Sequence, residues 1–158
     1  MREMPSPAWQ RRATARMQQA LDLATTTPPG DVPVGALVFD TDGEVIGRGV
    51  NRREQRQDPT AHAEVEAIRA AARTHGSWRL DGCELVVTLE PCTMCAGALL
   101  GARVDSLIFG AFEPKTGAVG SLLDALRDPH HLHQIQVRGG IMEPENAALL
   151  AEFFRDLR

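Results

Sequence analysis

Two short runs carry the chemistry of this chain: His62-Ala63-Glu64 and Pro91-Cys92-Thr93-Met94-Cys95. Each follows a loop signal and opens a stretch with helical patterning. Cys92 and Cys95 are three apart, so on a helix their side chains share a face and can grip one ion. A helix N-terminus lowers a thiol pKa and favours the thiolate that zinc requires. One imidazole and two thiolates make three protein ligands. Catalytic zinc sites stop at three and leave the fourth position to water, whereas structural sites close with four. Thiolate plus imidazole also favours zinc over harder cations. Zinc lowers the pKa of bound water from 15.7 to about 7, so one Zn2+ per subunit would yield hydroxide at neutral pH. Glu64 fits as a general acid–base beside that ion. Residues two apart on a regular helix point about 200° apart, so His62 and Glu64 meet at one site only off the helix end. The expectation is an ion caught between the N-terminal ends of two helices, with His62, Cys92 and Cys95 as ligands and Glu64 moving protons.

Blander readings exist for the same residues. A lone Cys-x-x-Cys in a reduced protein is also a redox pair, but that leaves His62 and Glu64 without a purpose. A closed structural site would need a fourth ligand from Cys83, His75, His130, His131 or His133. Cys83 instead reads as a small apolar residue starting a buried strand, and the histidines of Asp128-Pro129-His130-His131-Leu132-His133 as a solvated loop.

The elements that must position these runs follow from periodicity. Ser6-Pro7 caps and starts a helix with an apolar stripe of Trp9, Ala13, Met17, Ala20, Leu21 and Ala24, stopped by Thr27-Pro28-Pro29-Gly30. Val34 to Phe39 and Val45 to Val50, joined by Asp40-Thr41-Asp42-Gly43, form a β-hairpin. A helix spans Ala61 to Arg73, closed by Gly76. Cys83 to Thr88 is a strand, broken by Glu90-Pro91, and Cys92 to Ala102 a helix. Ser106 to Phe109 is a strand, residues 110–120 a loop, and Leu122 to Leu126 a short helix. Gln134 to Arg138 is a last strand, and Pro144 to Leu157 a terminal amphipathic helix. Strands alternating with helices in the second half require crossovers and parallel pairing, while the hairpin is antiparallel. The fold class is α/β: a mixed five-stranded sheet with helices on both faces.

The 158 residues suit one domain, 1–158, with residues 1–7 expected to be disordered. A chain of this size needs neither disulfide nor metal merely to fold, so a zinc ion would serve chemistry. Three cysteines argue against a disulfide framework. No apolar run reaches a bilayer's width, and the opening residues carry no signal-peptide pattern; a cytoplasmic protein with no membrane contact is expected. The net charge of -4 excludes a strongly basic nucleic-acid binder, so any RNA must meet a local patch. Only Lys115 among the 17 basic residues is a lysine, so each arginine is not read as a phosphate contact.

The pair His-x-Glu and Pro-Cys-x-x-Cys is the pattern of zinc-dependent nucleobase deaminases. The chain resembles more particularly the bacterial tRNA-specific adenosine deaminases. The resemblance rests on Pro33-Val34-Gly35-Ala36, Gly49-Val50-Asn51-Arg52, Asp58-Pro59-Thr60-Ala61-His62-Ala63-Glu64, Thr88-Leu89-Glu90-Pro91-Cys92, Met94-Cys95-Ala96-Gly97-Ala98, Lys115-Thr116-Gly117-Ala118 and Phe153-Phe154-Arg155. It implies a cytidine-deaminase-like three-layer α/β/α sandwich, a homodimer, and conversion of adenosine to inosine at the wobble position of an arginine tRNA. It also implies zinc on His62, Cys92 and Cys95, Glu64 as proton shuttle, and Asn51 as the asparagine that bonds the base. From position alone Asn51 serves equally to end a strand. Two departures stand out: Glu113-Pro114-Lys115 where the family usually has Asp before its Lys-Thr-Gly loop, and Leu132 where it usually has Asn.

An adenine inside a stacked helix cannot reach such a site, but an anticodon loop presents one at little unstacking cost. Arg48, Arg52, Arg53 and Arg56, opposed only by Glu54, read equally as a phosphate-contacting strip or a solvated loop; Lys115 is a further candidate contact. Glu113 is expected at the nucleotide sugar. Of Phe153 and Phe154, one packs the terminal helix and the other, Phe154, is expected against substrate. No protein partner other than a second copy is evident. Two alternatives stay open: a deaminase of free guanine, cytosine or a nucleoside on the same site, and a non-catalytic zinc-stabilised RNA-binding subunit.

Overall fold

The computed structural model describes residues 6–157; of the stretch expected to be disordered, residues 1–5 lie outside that range. The elements run α1 (Ala8–Ala24), β1 (Gly35–Phe39), β2 (Val45–Val50), α2 (Arg53–Arg56), α3 (Ala63–His75), β3 (Glu84–Leu89), α4 (Thr93–Ala102), β4 (Ser106–Ala111), β5 (Gln136–Arg138) and α5 (Glu143–Asp156). The sheet order is β2-β1-β3-β4-β5. Strand β1 pairs antiparallel with β2 and β3, and β3–β4 and β4–β5 are parallel. The mixed five-stranded sheet expected from the pattern of runs is present.

Strand alternation divides the apolar side chains between two layers. Ala36, Val38, Leu85, Val87, Leu107 and Phe109 face α3 and α4, whose Ala63, Ala67, Ala71, Ala96 and Leu99 complete one core. Leu37, Phe39, Val86 and Ile108 face the opposite way onto Ala13, Met17 and Ala20 of α1, with Ile141 and Met142 ahead of α5. The result is an α/β/α sandwich. The alanines of α3 let that helix lie close against β2.

Several local expectations shift. Pro7 stands at the N-cap of α1 rather than inside its first turn, and no side chain caps it. The hydroxyls of Thr25, Thr26 and Thr27 donate to the carbonyls of Asp22, Leu23 and Ala24 and finish that helix. Trp9, placed in the apolar stripe, is 40% exposed with the Arg138 guanidinium 4.0 Å above its ring. Helix α3 starts at Ala63, two residues later than expected, and ends on Gly76 in the left-handed region as expected. β5 is shorter at its start.

Two segments differ in kind. Residues 122–126 form no helix: Val119 bridges Asp124, and the Ala125 N–H donates to the Ala118 carbonyl at 2.7 Å. Leu126 is fully buried, and that tertiary anchor overrides the local helical pattern. Conversely, Arg53–Arg56, expected in a loop, forms one helical turn. Buried Asp31 supplies the reason, accepting from the N–H groups of Glu54 at 2.7 Å and Gln55 at 3.0 Å, as an N-cap side chain does.

Candidate active site

Both chemistry-bearing runs sit where a chain enters a helix. Asp58 accepts from the Thr60 N–H and hydroxyl at 2.8 and 2.7 Å, a tight turn; these bonds hold its carboxyl below the ordinary value. The turn delivers His62 to the N-cap of α3 with extended backbone, φ -77 and ψ 153. On the other side, β3 ends at Leu89 and Cys92 becomes the N-cap of α4, also extended. Because His62 lies outside the helix proper, the 200° separation from Glu64 does not apply. Both residues line one cleft of about 210 Å³.

His62 Nδ1 lies 3.7 Å from Cys92 Sγ and 3.6 Å from Cys95 Sγ, and the three ligand atoms all fall within 4.8 Å of one another. Zinc–sulfur bonds of about 2.3 Å and zinc–nitrogen bonds of about 2.0–2.1 Å put N and S about 3.5 Å apart across a tetrahedron. The triangle therefore fits zinc. No other group of three His, Cys, Asp or Glu side chains among the described residues has such geometry.

The alternatives lose their fourth ligand. Cys83 is buried in the apolar core. His131 Nε2 lies 2.6 Å from the Ala125 carbonyl oxygen and His133 Nε2 2.6 Å from that of Val104; both nitrogens donate and pin the loop. His130 meets Asp128 at 2.8 Å on the surface.

Electrostatics separate the ligands. The Cys92 thiol is pulled down to about 3, chiefly by a hydrogen bond from Cys95, with His62 adding to it. Cys95 is pushed up by its bond to Cys92, by burial and by Glu64. The bond to Cys92 raises His62 above its ordinary 6.5, against the effect of its burial. Glu64 is 5% exposed, and burial raises its carboxyl above the ordinary 4.5, with Cys95 and His62 opposing. A carboxyl raised in this direction suits a group that both takes and gives protons.

The remaining expected residues divide. Asn51, Glu113 and Phe154 line the cleft, as does Arg53. Asn51 Nδ2 donates to the Val32 carbonyl at 3.1 Å and its Oδ1 accepts from the Arg53 N–H at 3.1 Å, so the side chain is fixed with one N–H to spare. Glu113 Oε1 accepts from the Lys115 N–H at 2.9 Å, while Lys115 itself is exposed outside the lining. Arg52 bonds Gln55 at 2.7 Å. Arg56 is paired with Glu66 at 2.7 Å and Arg53 with Glu54 at 3.5 Å, so the arginine strip is partly neutralised. Phe153 lines a second groove with Pro28 and Pro29, its ring edge-on to that of Phe154 with centroids 5.3 Å apart. Sequence reasoning missed the apolar walls from Val32, Val34, Leu89 and Leu150, and the buried lining residue Glu90. A carboxylate following the apolar run Leu85–Leu89 was the available signal for Glu90.

Residues 10–111 match the family model of the cytidine and deoxycytidylate deaminase zinc-binding region. The chain belongs to that zinc-dependent deaminase family. Within it, the chain is 46% identical over 129 residues to the tRNA-specific adenosine deaminase of Bacillus subtilis strain 168, covering 82% of this chain and 80% of that one. A solved structure from studies of A-to-I editing by tRNA:A34 deaminases superposes with a TM-score of 0.82 at 43% identity, covering 87% of this chain and 99% of the other. The guanine deaminase of Nitrosomonas europaea superposes at 0.74 with 28% identity, covering 97% and 96%.

Proposed function

We propose that the protein hydrolytically deaminates adenosine to inosine at the wobble position of a tRNA anticodon, that of an arginine tRNA. The observation that carries this reading is the meeting of His62, Cys92 and Cys95 with buried Glu64 in one cleft whose rim holds Asn51, Glu113 and Phe154. The greater identity to an A34 deaminase than to a guanine deaminase supports the substrate. His62, Cys92 and Cys95 hold the metal. Zinc there supplies the Lewis acidity that activates water for attack on the ring carbon bearing the amine. Glu64 takes a proton from the attacking water and returns protons to the ring nitrogen and the departing amine. Burial serves this role, because a carboxylate whose pKa is raised above its ordinary value is a stronger base toward the attacking water than a solvated one.

The spare Asn51 N–H bonds an acceptor on the adenine edge. Leu150 and Val34 enclose the ring, and Phe154, 51% exposed, stacks on the target or a flanking base. Glu113 meets the sugar, and Arg53 is the cation best placed for the adjoining phosphate. Arg52 and Lys115 contact the RNA further out. The open rim accepts a loop nucleotide rather than a paired one.

The active form is a homodimer. Helix α4 carries no charge between Thr93 and Ala102, and open space lies over Gly97 and Gly101, a surface suited to a second copy. Sedimentation at the monomer mass of 17.2 kDa would refute it. The protein acts in the cytoplasm; no helix of the described residues is long and apolar enough to cross a membrane.

The test is an inosine assay on an arginine tRNA bearing A34, with free guanine, cytidine and adenosine in parallel. Inosine at that one position is expected. Ammonia from a free base, with the tRNA unchanged, would replace the substrate while keeping the deaminase chemistry.

A further inference from the structure

Loops at a cleft mouth hold their shape only where their backbone polar groups find partners. The segment 113–121 has an unusual one. Glu90 is 3% exposed, and its two carboxylate oxygens receive four hydrogen bonds, all from this segment. Oε1 accepts from the Glu113 N–H at 3.0 Å and from the Ser121 hydroxyl. Oε2 accepts from the N–H groups of Val119 at 3.2 Å and Ser121 at 3.0 Å. The backbone of Glu90 is tied to the sheet, its N–H donating to the Ala111 carbonyl at 2.9 Å, and the Pro91 carbonyl accepts from Ala118 at 2.9 Å. Gly117 leaves the room required: a Cβ there would press into the Glu90 carboxylate. The Glu90 carboxylate only accepts, and the four groups that reach it all donate.

We infer that Glu90 is a positioning residue for substrate. By gripping residues 113–121 at both ends, it sets Glu113 and Thr116 on the rim of the cleft, where they meet the nucleotide next to the reacting ring. The same residue joins the loop to the strand end that leads into Cys92, so rim and metal centre keep one spacing. This assignment rests on the proposed RNA substrate for its kinetic consequence, but not for its structural one.

Glu90→Gln retains the shape yet turns an NH2 group toward backbone donors, leaving the Glu113 N–H without an acceptor if the nitrogen takes the Oε1 position, or those of Val119 and Ser121 if it takes the Oε2 position. In the zinc-loaded protein, amide exchange of Glu113, Val119 and Ser121 is expected to accelerate about 10- to 100-fold, with α3 and α4 unchanged. For the RNA, KM rises about tenfold while kcat and zinc content stay near wild type, the signature of lost substrate binding without loss of transition-state stabilisation. Ser121→Ala, which removes one bond and keeps the carboxylate, should shift both readouts in the same direction by about two- to threefold, and it carries the test if Glu90→Gln does not fold. Unchanged exchange in 113–121 overturns the inference, as does loss of zinc with collapse of kcat at constant KM. If the wild-type protein leaves the RNA untouched, the substrate reading fails, and the exchange rates alone decide the role of Glu90.

Discussion

Gly49 offers a direct test of how the sheet sets the metal centre. It lies on β2 beneath the first turn of α3, and a Cβ there would stand 2.6 Å from the Ala67 nitrogen and 2.8 Å from the Glu66 Cβ, and closer still to the Ala63 carbonyl oxygen. Two of these are helix backbone, which cannot step aside as a flexible side chain would. Gly49→Ala must therefore lift the start of α3 from the sheet by about 1 Å, an overpacking that costs about 2 kcal/mol. For a chain of this length that lowers the thermal midpoint by about 4–8 °C. The larger effect is functional: His62 and Glu64 ride on the displaced turn, and a 1 Å misplacement costs about 100-fold in rate. Gly47→Ala is the matched control. Its Cβ would meet the Ala71 nitrogen at 2.7 Å and Ala71 Cβ at 2.8 Å, one turn further from His62. It should lose similar stability and less than about tenfold activity. Thermal melts, zinc competition with a chromophoric chelator and steady-state rates measure all three quantities. Equal activity losses in the two variants, or a fully active Gly49→Ala protein, would refute the reasoning.

Zinc affinity should rise with pH, with a slope that can be worked from the ligands. Cys92, depressed to about 3, is a thiolate at neutral pH, whereas Cys95 is raised and keeps its proton until the metal displaces it. His62, raised above its ordinary value, adds a second proton once the pH drops below its own pKa. The logarithm of the affinity should thus rise about one unit per pH unit above the His62 pKa and about two units per pH unit below it; competition titrations showing no pH dependence would contradict this. Asp31→Ala removes the carboxylate that caps α2 and leaves two N–H groups there without their partner. A loss of about 1–3 kcal/mol in urea denaturation is expected, and an unchanged midpoint would show that water replaces Asp31.

Legibility in the sequence followed the range of the controlling contact. His62 and Cys92 read as an N-terminal pair because Asp58-Pro59 and Glu90-Pro91 mark both helix starts within a few residues. The sheet covered on both faces read from strands alternating with helices in the second half of the chain and from the hairpin in the first. Helix α2 did not, because its cap is Asp31, more than twenty residues upstream. The stretch 122–126 read as helix for the converse reason. Its local pattern is outweighed by the burial of Leu126, with the preceding Val119 and Ser121 held by Glu90 from about thirty residues away. Among the site residues, Asn51 and Glu113 were placed by resemblance; neither alone announces that it faces the cleft. The arginine strip looked uniform in sequence, and only the fold pairs Arg56 with Glu66.

The central claim is that Glu64 moves the protons for a metal held by His62, Cys92 and Cys95. Single-turnover inosine formation on an A34 anticodon stem-loop, with zinc quantified in the same samples, tests it most directly. Glu64→Gln should keep the wild-type zinc content and lose about 10²- to 10⁴-fold in rate. A Glu64→Gln protein that binds zinc and forms inosine at the wild-type rate would contradict the account.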